Sequence, residues 1–109
     1  MKSSKEKLRL SKKDDKSYPD KSSTGAYSRW LEIDEKRLRI ITYPRGYEAD
    51  HVCYDGHSFY VIYGNIKIEL ESEITEWHSG DAFIIPDGVP HRLFNLSEED
   101  ANIVVADKG

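Results

Sequence analysis

Three histidines and the chain's single cysteine fall into two short patterns. The first is His51-x-Cys53-x3-His57-x6-Gly64, and the second is Gly80-x5-Pro86-x-Gly88-x2-His91-x3-Asn95. Imidazole nitrogen and thiolate sulfur are the usual donors to zinc, iron, nickel and copper, with manganese also among the candidate ions, whereas magnesium and calcium prefer oxygen. The expected cofactor is therefore a divalent transition metal held by His51, Cys53, His57 and His91. A thiol set between imidazoles also suits nucleophilic chemistry without a metal. His78 stands outside both patterns, beside Trp77 and a turn, and reads as an exposed non-ligand.

The elements that must position these side chains read as β throughout. His51 and Cys53 are two apart on an extended segment and so share a face. Asp55-Gly56 is a tight-turn dipeptide that lets His57 open the next strand. His91 follows Pro86-Asp87-Gly88, a turn that sets how its strand enters. Strands are expected at 28–33, 36–43, 58–63, 66–70, 74–77, 82–85, 91–95 and 102–106. Ile66, Ile68 and Leu70 alternate strictly with Lys67, Glu69 and Glu71, as in a half-buried strand. No segment shows a helical period. Short strands with a turn every 8–12 residues imply an all-β sandwich or barrel.

The chain has 109 residues, enough for one domain. Residues 1–26 hold eight Lys/Arg against four Asp/Glu and few apolar residues, and read as a flexible basic arm. Residues 27–109 hold eight Lys/Arg against sixteen Asp/Glu, and are expected to form the folded domain. That acidic balance argues against nucleic acid as the main partner. No apolar run approaches the ~20 residues needed to span a bilayer, and no apolar signal core opens the sequence. One cysteine makes no internal disulfide, so a cytoplasmic location is expected.

With these residues in hand, the chain resembles the cupin superfamily over residues 28–106. Gly80, Pro86, Gly88, His91 and Asn95 match the family's second motif in full. The first motif of the family is G-x5-H-x-H-x3–4-E-x6-G. His51 fills its first histidine, Cys53 replaces the second, His57 replaces the glutamate, and Gly64 closes it. Gly46 stands one residue short of the opening glycine. The resemblance implies a small antiparallel β-barrel, or jelly roll, with a metal at its mouth, a small-molecule ligand or substrate and a homodimer.

The departures bear on chemistry. A histidine at the glutamate position cannot act as an anionic base. A thiolate donates more charge and favours thiophilic metals. Four bound side chains would make a closed N3S shell of structural type, whereas three histidines alone would leave open positions. Two functions follow: a metal-dependent enzyme of oxygenase, isomerase or lyase type, or a non-catalytic sensor module that binds a small molecule or is stabilised by its metal.

Period-2 parity extends the pocket. Phe59, Val61 and Tyr63 share the face of His57, and Leu93 and Asn95 that of His91, whereas Arg92 and Phe94 point away. Arg92 could clamp a carboxylate, with a solvent-exposed position as the plainer reading. Tyr43, Tyr47, Tyr54 and Tyr60 are candidates for pocket lining or dimer contacts. Asn95 is expected to brace a turn through backbone hydrogen bonds.

Overall fold

The computed structural model describes residues 8–11, 16–17, 25–49 and 52–108. His51 and most of residues 1–26 lie outside the described residues. The strands are β1 (Lys16–Ser17), β2 (Tyr27–Ile33), β3 (Lys36–Tyr43), β4 (His57–Tyr63), β5 (Asn65–Glu69), β6 (Ile74–His78), β7 (Ala82–Ile85), β8 (Arg92–Phe94) and β9 (Ala101–Lys108). No helix of the described residues is long and apolar enough to cross a membrane.

Alternation explains why these segments form strands. In β9, Ala101, Ile103 and Val105 are buried, and the residues between them face outward. In β5, Ile66 and Ile68 are buried between partly exposed Lys67 and Glu69. Each buried stripe needs an apolar partner, so the strands stack into two facing sheets. One sheet has the order β1-β2-β3-β9-β4-β7, the other β6-β5-β8. The ladders within both sheets are antiparallel. The core between them gathers Ile41, Tyr43, Phe59, Val61, Ile103 and Val105 from the first sheet and Ile66, Ile68 and Leu93 from the second. This is the expected all-β, jelly-roll barrel.

Three local features set the frame around the candidate ligands. First, the β2–β3 hairpin closes through two residues, Asp34 and Glu35, both with positive φ (50° and 65°). A two-residue turn of this kind matches the strand twist, at some backbone strain for a non-glycine pair.

Second, the segment before β4 runs antiparallel beside β8. Bridges join Glu48 to Phe94 and Cys53 to His91, so this segment extends the smaller sheet.

Third, β4 carries a bulge. Val61 pairs with Ile103, but Tyr63, not Ile62, pairs with Asn102. The extra residue reverses the parity beyond it. Val61 is fully buried, and Tyr63 is 50% exposed, with its hydroxyl donating to Glu99.

Candidate metal centre

The loop between Cys53 and His57 is tied to the turn before His91. Gly56 N donates to Asp87 Oδ1 over 2.7 Å, and Gly88 N donates to the Tyr54 carbonyl over 2.9 Å. The backbones approach so closely at Gly56 that a Cβ there would sit 2.6 Å from Asp87 N. Glycine is therefore required on steric grounds, and the Asp55-Gly56 pair does more than turn the chain. Cys53 and His91 then meet as a directly paired bridge. Cys53 N donates to His91 O at 2.8 Å and His91 N to Cys53 O at 3.0 Å.

These contacts bring three donors together. One ligand atom each of Cys53, His57 and His91 lies within 4.8 Å of the other two. Cys53 Sγ is 3.6 Å from His57 Nε2, and the rings of His57 and His91 meet edge to face at 5.6 Å. Each ring is oriented from behind. His91 Nδ1 donates to the Val89 carbonyl at 2.9 Å, and His57 Nδ1 donates to Asp107 Oδ2 at 2.6 Å. Both partners are acceptors, so both rings carry their proton on Nδ1 and present Nε2 as a lone pair. That is the arrangement by which proteins prepare histidine for a metal.

Asp107 is the hub of this arrangement. Its side chain is only 3% exposed. Arg37 binds it with two hydrogen bonds, 2.7 and 2.8 Å, and Arg39 adds one of 2.8 Å. Arg37 and Asp107 are direct register partners across β3 and β9. Ser58 pairs with Ala106 across β4 and β9, so His57 lies one step further, on Asp107's other flank. Burial alone would raise the Asp107 pKa, but the Arg37 hydrogen bond and the charges of Arg39 and Arg37 outweigh it and hold the carboxyl below its usual range. Burial lowers the His57 pKa. The Asp107 bond only partly opposes that shift, and the charge of Arg39 adds to it, so the ring favours its neutral, ligating form.

The three donors face a cavity of about 110 Å³, whose walls include Arg39, Tyr43, Tyr47, Phe59, Arg92 and Leu93. His91 and Arg92 also border an open groove of about 450 Å³ with Val52, Tyr54, Ile74 and Glu69. An aromatic stack supports the inner wall: Phe59 lies 4.7 Å from Phe83, which lies 4.0 Å from Trp77.

Of the residues expected from the sequence, Cys53, His57, His91, Phe59 and Leu93 border the cavity, with Tyr43 and Tyr47. Val61 lies in the core outside its lining, and Tyr63 is turned outward by the bulge. Tyr54 and Tyr60 are exposed. Arg92 does not point simply away. It borders both spaces and lies over the Phe94 ring at 4.7 Å. Asn95 is fully buried and braces its turn, donating to the carbonyls of Tyr43 and Glu99 and accepting from Ser97. His78 is exposed and hydrogen-bonds Asn65.

Arg37, Arg39 and Asp107 escaped the sequence reading. A signal for them existed. Arg37 and Arg39 continue the inward parity of Ile41 and Tyr43, and Asp107 that of Ile103 and Val105. Opposite charges on two inward stripes need one another.

Comparison with known proteins agrees with this fold. The family model described as "Cupin domain" matches residues 41–107. No curated protein matches the chain. Among solved structures, the polyketide cyclase RemF from Streptomyces resistomycificus is similar with a TM-score of 0.78 and 20% identity, covering 92% of this chain and 78% of that one. A predicted oxalate decarboxylase from Thermotoga maritima gives a TM-score of 0.69 and 13% identity, covering 79% of this chain and 82% of that one. The Cnp3 cupin domain from Schizosaccharomyces pombe gives 0.66 and 19%, covering 74% of this chain, which spans only 59% of that one. At these identities the structural likeness speaks for the fold, and the family match covers more than half of the sequence. The chain belongs to the cupin domain family.

Proposed function

We propose that this protein is a small metal-dependent enzyme acting on a small molecule, of oxygenase, isomerase or lyase type. The observation that carries the reading is the Cys53, His57 and His91 group, with ligand atoms within 4.8 Å and both histidines oriented through Nδ1. His57 Nε2, His91 Nε2 and Cys53 Sγ would hold the metal, with His51 a fourth ligand on sequence grounds. The donor set fits zinc, iron, nickel, copper or manganese, with the sulfur favouring the thiophilic members.

A metal bound there supplies Lewis acidity, or redox chemistry where the ion allows it. The remaining work belongs to the chain. Tyr43, Tyr47, Phe59 and Leu93 give the cavity apolar walls that exclude water. Arg39 and Arg92 bring positive charge to its lining, which suits a substrate that carries or develops negative charge. Asp107 keeps the His57 proton on Nδ1. Substrate would enter through the groove that shares His91 and Arg92 with the cavity. The names of two similar structures, a polyketide cyclase and a predicted oxalate decarboxylase, make polyketides and oxalate the first substrates to screen.

The test is metal content after purification without an affinity tag or chelator. Near-stoichiometric transition metal is expected, lost in His91→Ala and kept in His78→Ala. Equal retention in both variants would sink the reading.

The sulfur favours a second reading, a non-catalytic module. If His51, Cys53, His57 and His91 all bind, the shell is closed and structural in type. X-ray absorption of the metal-loaded protein separates the two: a water-free N3S shell supports the module, and an open position supports the enzyme.

A homodimer also belongs to this reading. Leu38, Tyr60, Ile62 and Ile84 lie exposed on the outer face of the larger sheet, where a second copy would cover them. Light scattering that returns a monomer mass would exclude it.

A further inference from the structure

Cys53, His57 and Asp107 make a second constellation out of the same side chains. Cys53 Sγ lies 3.6 Å from His57 Nε2, and on the far side of the ring Nδ1 donates to Asp107 Oδ2 over 2.6 Å. Thiol, imidazole and carboxylate therefore stand in line as nucleophile, base and orienting group. The line is braced, because Arg37 and Arg39 hold the carboxylate in place. Among the described residues, the thiol's other hydrogen-bond acceptor is the Asp55 carbonyl, at a longer 3.9 Å. His91 does not compete for Asp107, because its Nδ1 proton is engaged by Val89.

We infer that, when free of metal, this group is a thiol nucleophile that accepts short acyl groups from activated esters or thioesters. The inference stands on the triad geometry and goes beyond the proposed metal function. The Cys53 sulfur attacks the acyl carbon as its proton passes to His57 Nε2. The tetrahedral adduct collapses and the bond to the leaving group breaks. His57 returns the proton to the departing alcohol or thiol, and the acyl group remains on Cys53 as a thioester. Water, deprotonated by the same nitrogen, then releases the carboxylic acid and restores the thiol. The balance is ester plus water to acid plus alcohol, with no change in oxidation state.

The cavity sets the substrate class. Its volume of about 110 Å³ gives a short acyl chain room beside the thiol. Phe59, Tyr43 and Leu93 provide its apolar walls. Arg39 places positive charge on the lining, the sign that a developing oxyanion requires. Cys53 and His57 are the catalytic residues in this scheme, and Asp107 is a positioning residue.

The experiment uses the full chain, stripped with a chelator and treated with p-nitrophenyl acetate, with the reaction quenched in acid at short times to trap the thioester and the acetylated residue located by mass spectrometry. An acetyl group on Cys53 is expected, absent in Cys53→Ser and unchanged in His78→Gln. His57→Gln is expected to slow acetylation by about 100-fold, the lower end of what a positioned base supplies. Asp107→Glu is expected to retain acetylation that Asp107→Ala loses. A measurement needing no variant compares folded protein with protein in urea, and the folded thiol is expected to react faster by a similar factor. Equal rates folded and unfolded, or acetylation of other residues only, would overturn the inference. Zinc separates the two readings. If zinc binds and acetylation stops, both stand. If neither zinc nor iron(II), nickel, copper or manganese binds and acetylation persists, the metal function fails and the thiol function remains. If zinc binds but the stripped protein is never acetylated on Cys53, the reverse holds.

Discussion

Asp107 Oδ2 lies 2.6 Å from His57 Nδ1, although the two residues are 50 positions apart in sequence. The bond joins the Arg37–Arg39–Asp107 ion network on one side to the Cys53–His57–His91 group on the other. It decides which nitrogen of His57 faces the cavity.

Replacing Asp107 tests that junction. Asp107→Asn leaves Arg37 and Arg39 without their shared carboxylate, beside a side chain position that is 3% exposed. Removing one partner of a buried pair costs about 3–5 kcal/mol, so urea unfolding is expected to show a loss near the lower figure, since Arg37 is partly solvated. Metal affinity is expected to fall about 10–100-fold, because an amide, which can offer the ring either its oxygen or its NH2, no longer fixes the His57 proton on Nδ1 as the carboxylate does. Unchanged affinity, measured by competition with a chromophoric chelator, would separate Asp107 from the metal site.

Acid is expected to destabilise the metal-free protein in two steps. The folded His57 pKa is held below its ordinary 6.5, chiefly by burial, so the unfolded chain binds that proton first. Stability from the neutral ring is complete above 6.5 and declines as the pH falls from there toward the folded value. Burial alone would raise Asp107, but the Arg37 hydrogen bond and the arginine charges hold it below 3.8, so its contribution is complete above 3.8 and lost as the pH falls further. Urea midpoints measured across this range should fall in both windows. His57→Gln should abolish the first step and leave the second.

Gly56→Ala is expected to disturb the site more than its size suggests. The added Cβ would meet Asp87 N at 2.6 Å, its side-chain Oδ1 at 2.8 Å and the Ile85 carbonyl at 2.8 Å. Two of these three atoms are backbone and cannot swing aside. A loss of about 1–3 kcal/mol is expected, the usual range for overpacking, together with weaker metal binding as the Cys53–His57 loop separates from the turn before His91. Chemical denaturation and metal titration on one preparation would check both effects.

Glu35→Gly is expected to stabilise the fold. Glu35 sits at φ 65° in a two-residue hairpin turn, a conformation that costs a side-chain-bearing residue about 1–2 kcal/mol. Glycine removes that strain but gives back part of the gain through its larger unfolded-state freedom, leaving about 0.5–1 kcal/mol. A higher thermal midpoint with unchanged metal content is the expected result. A lower midpoint would show that the Glu35 side chain makes a stabilising contact in solution.

What the sequence by itself determined was local. Donor types and spacing marked Cys53, His57 and His91, strict alternation marked β5, and Gly-containing dipeptides marked the turns. These signals are legible because side-chain chemistry and the two-residue period act within a few positions of one another. What only the tertiary structure decided was which strands lie side by side. Placing β9 between β3 and β4 sets Asp107 between Arg37 and His57, and alternation alone assigns a face without naming a neighbour. The close approach at Gly56 depends on a backbone 31 residues away. The bulge after Val61 breaks the very period used to read the strand, which is why Tyr63 faces solvent and not the cavity.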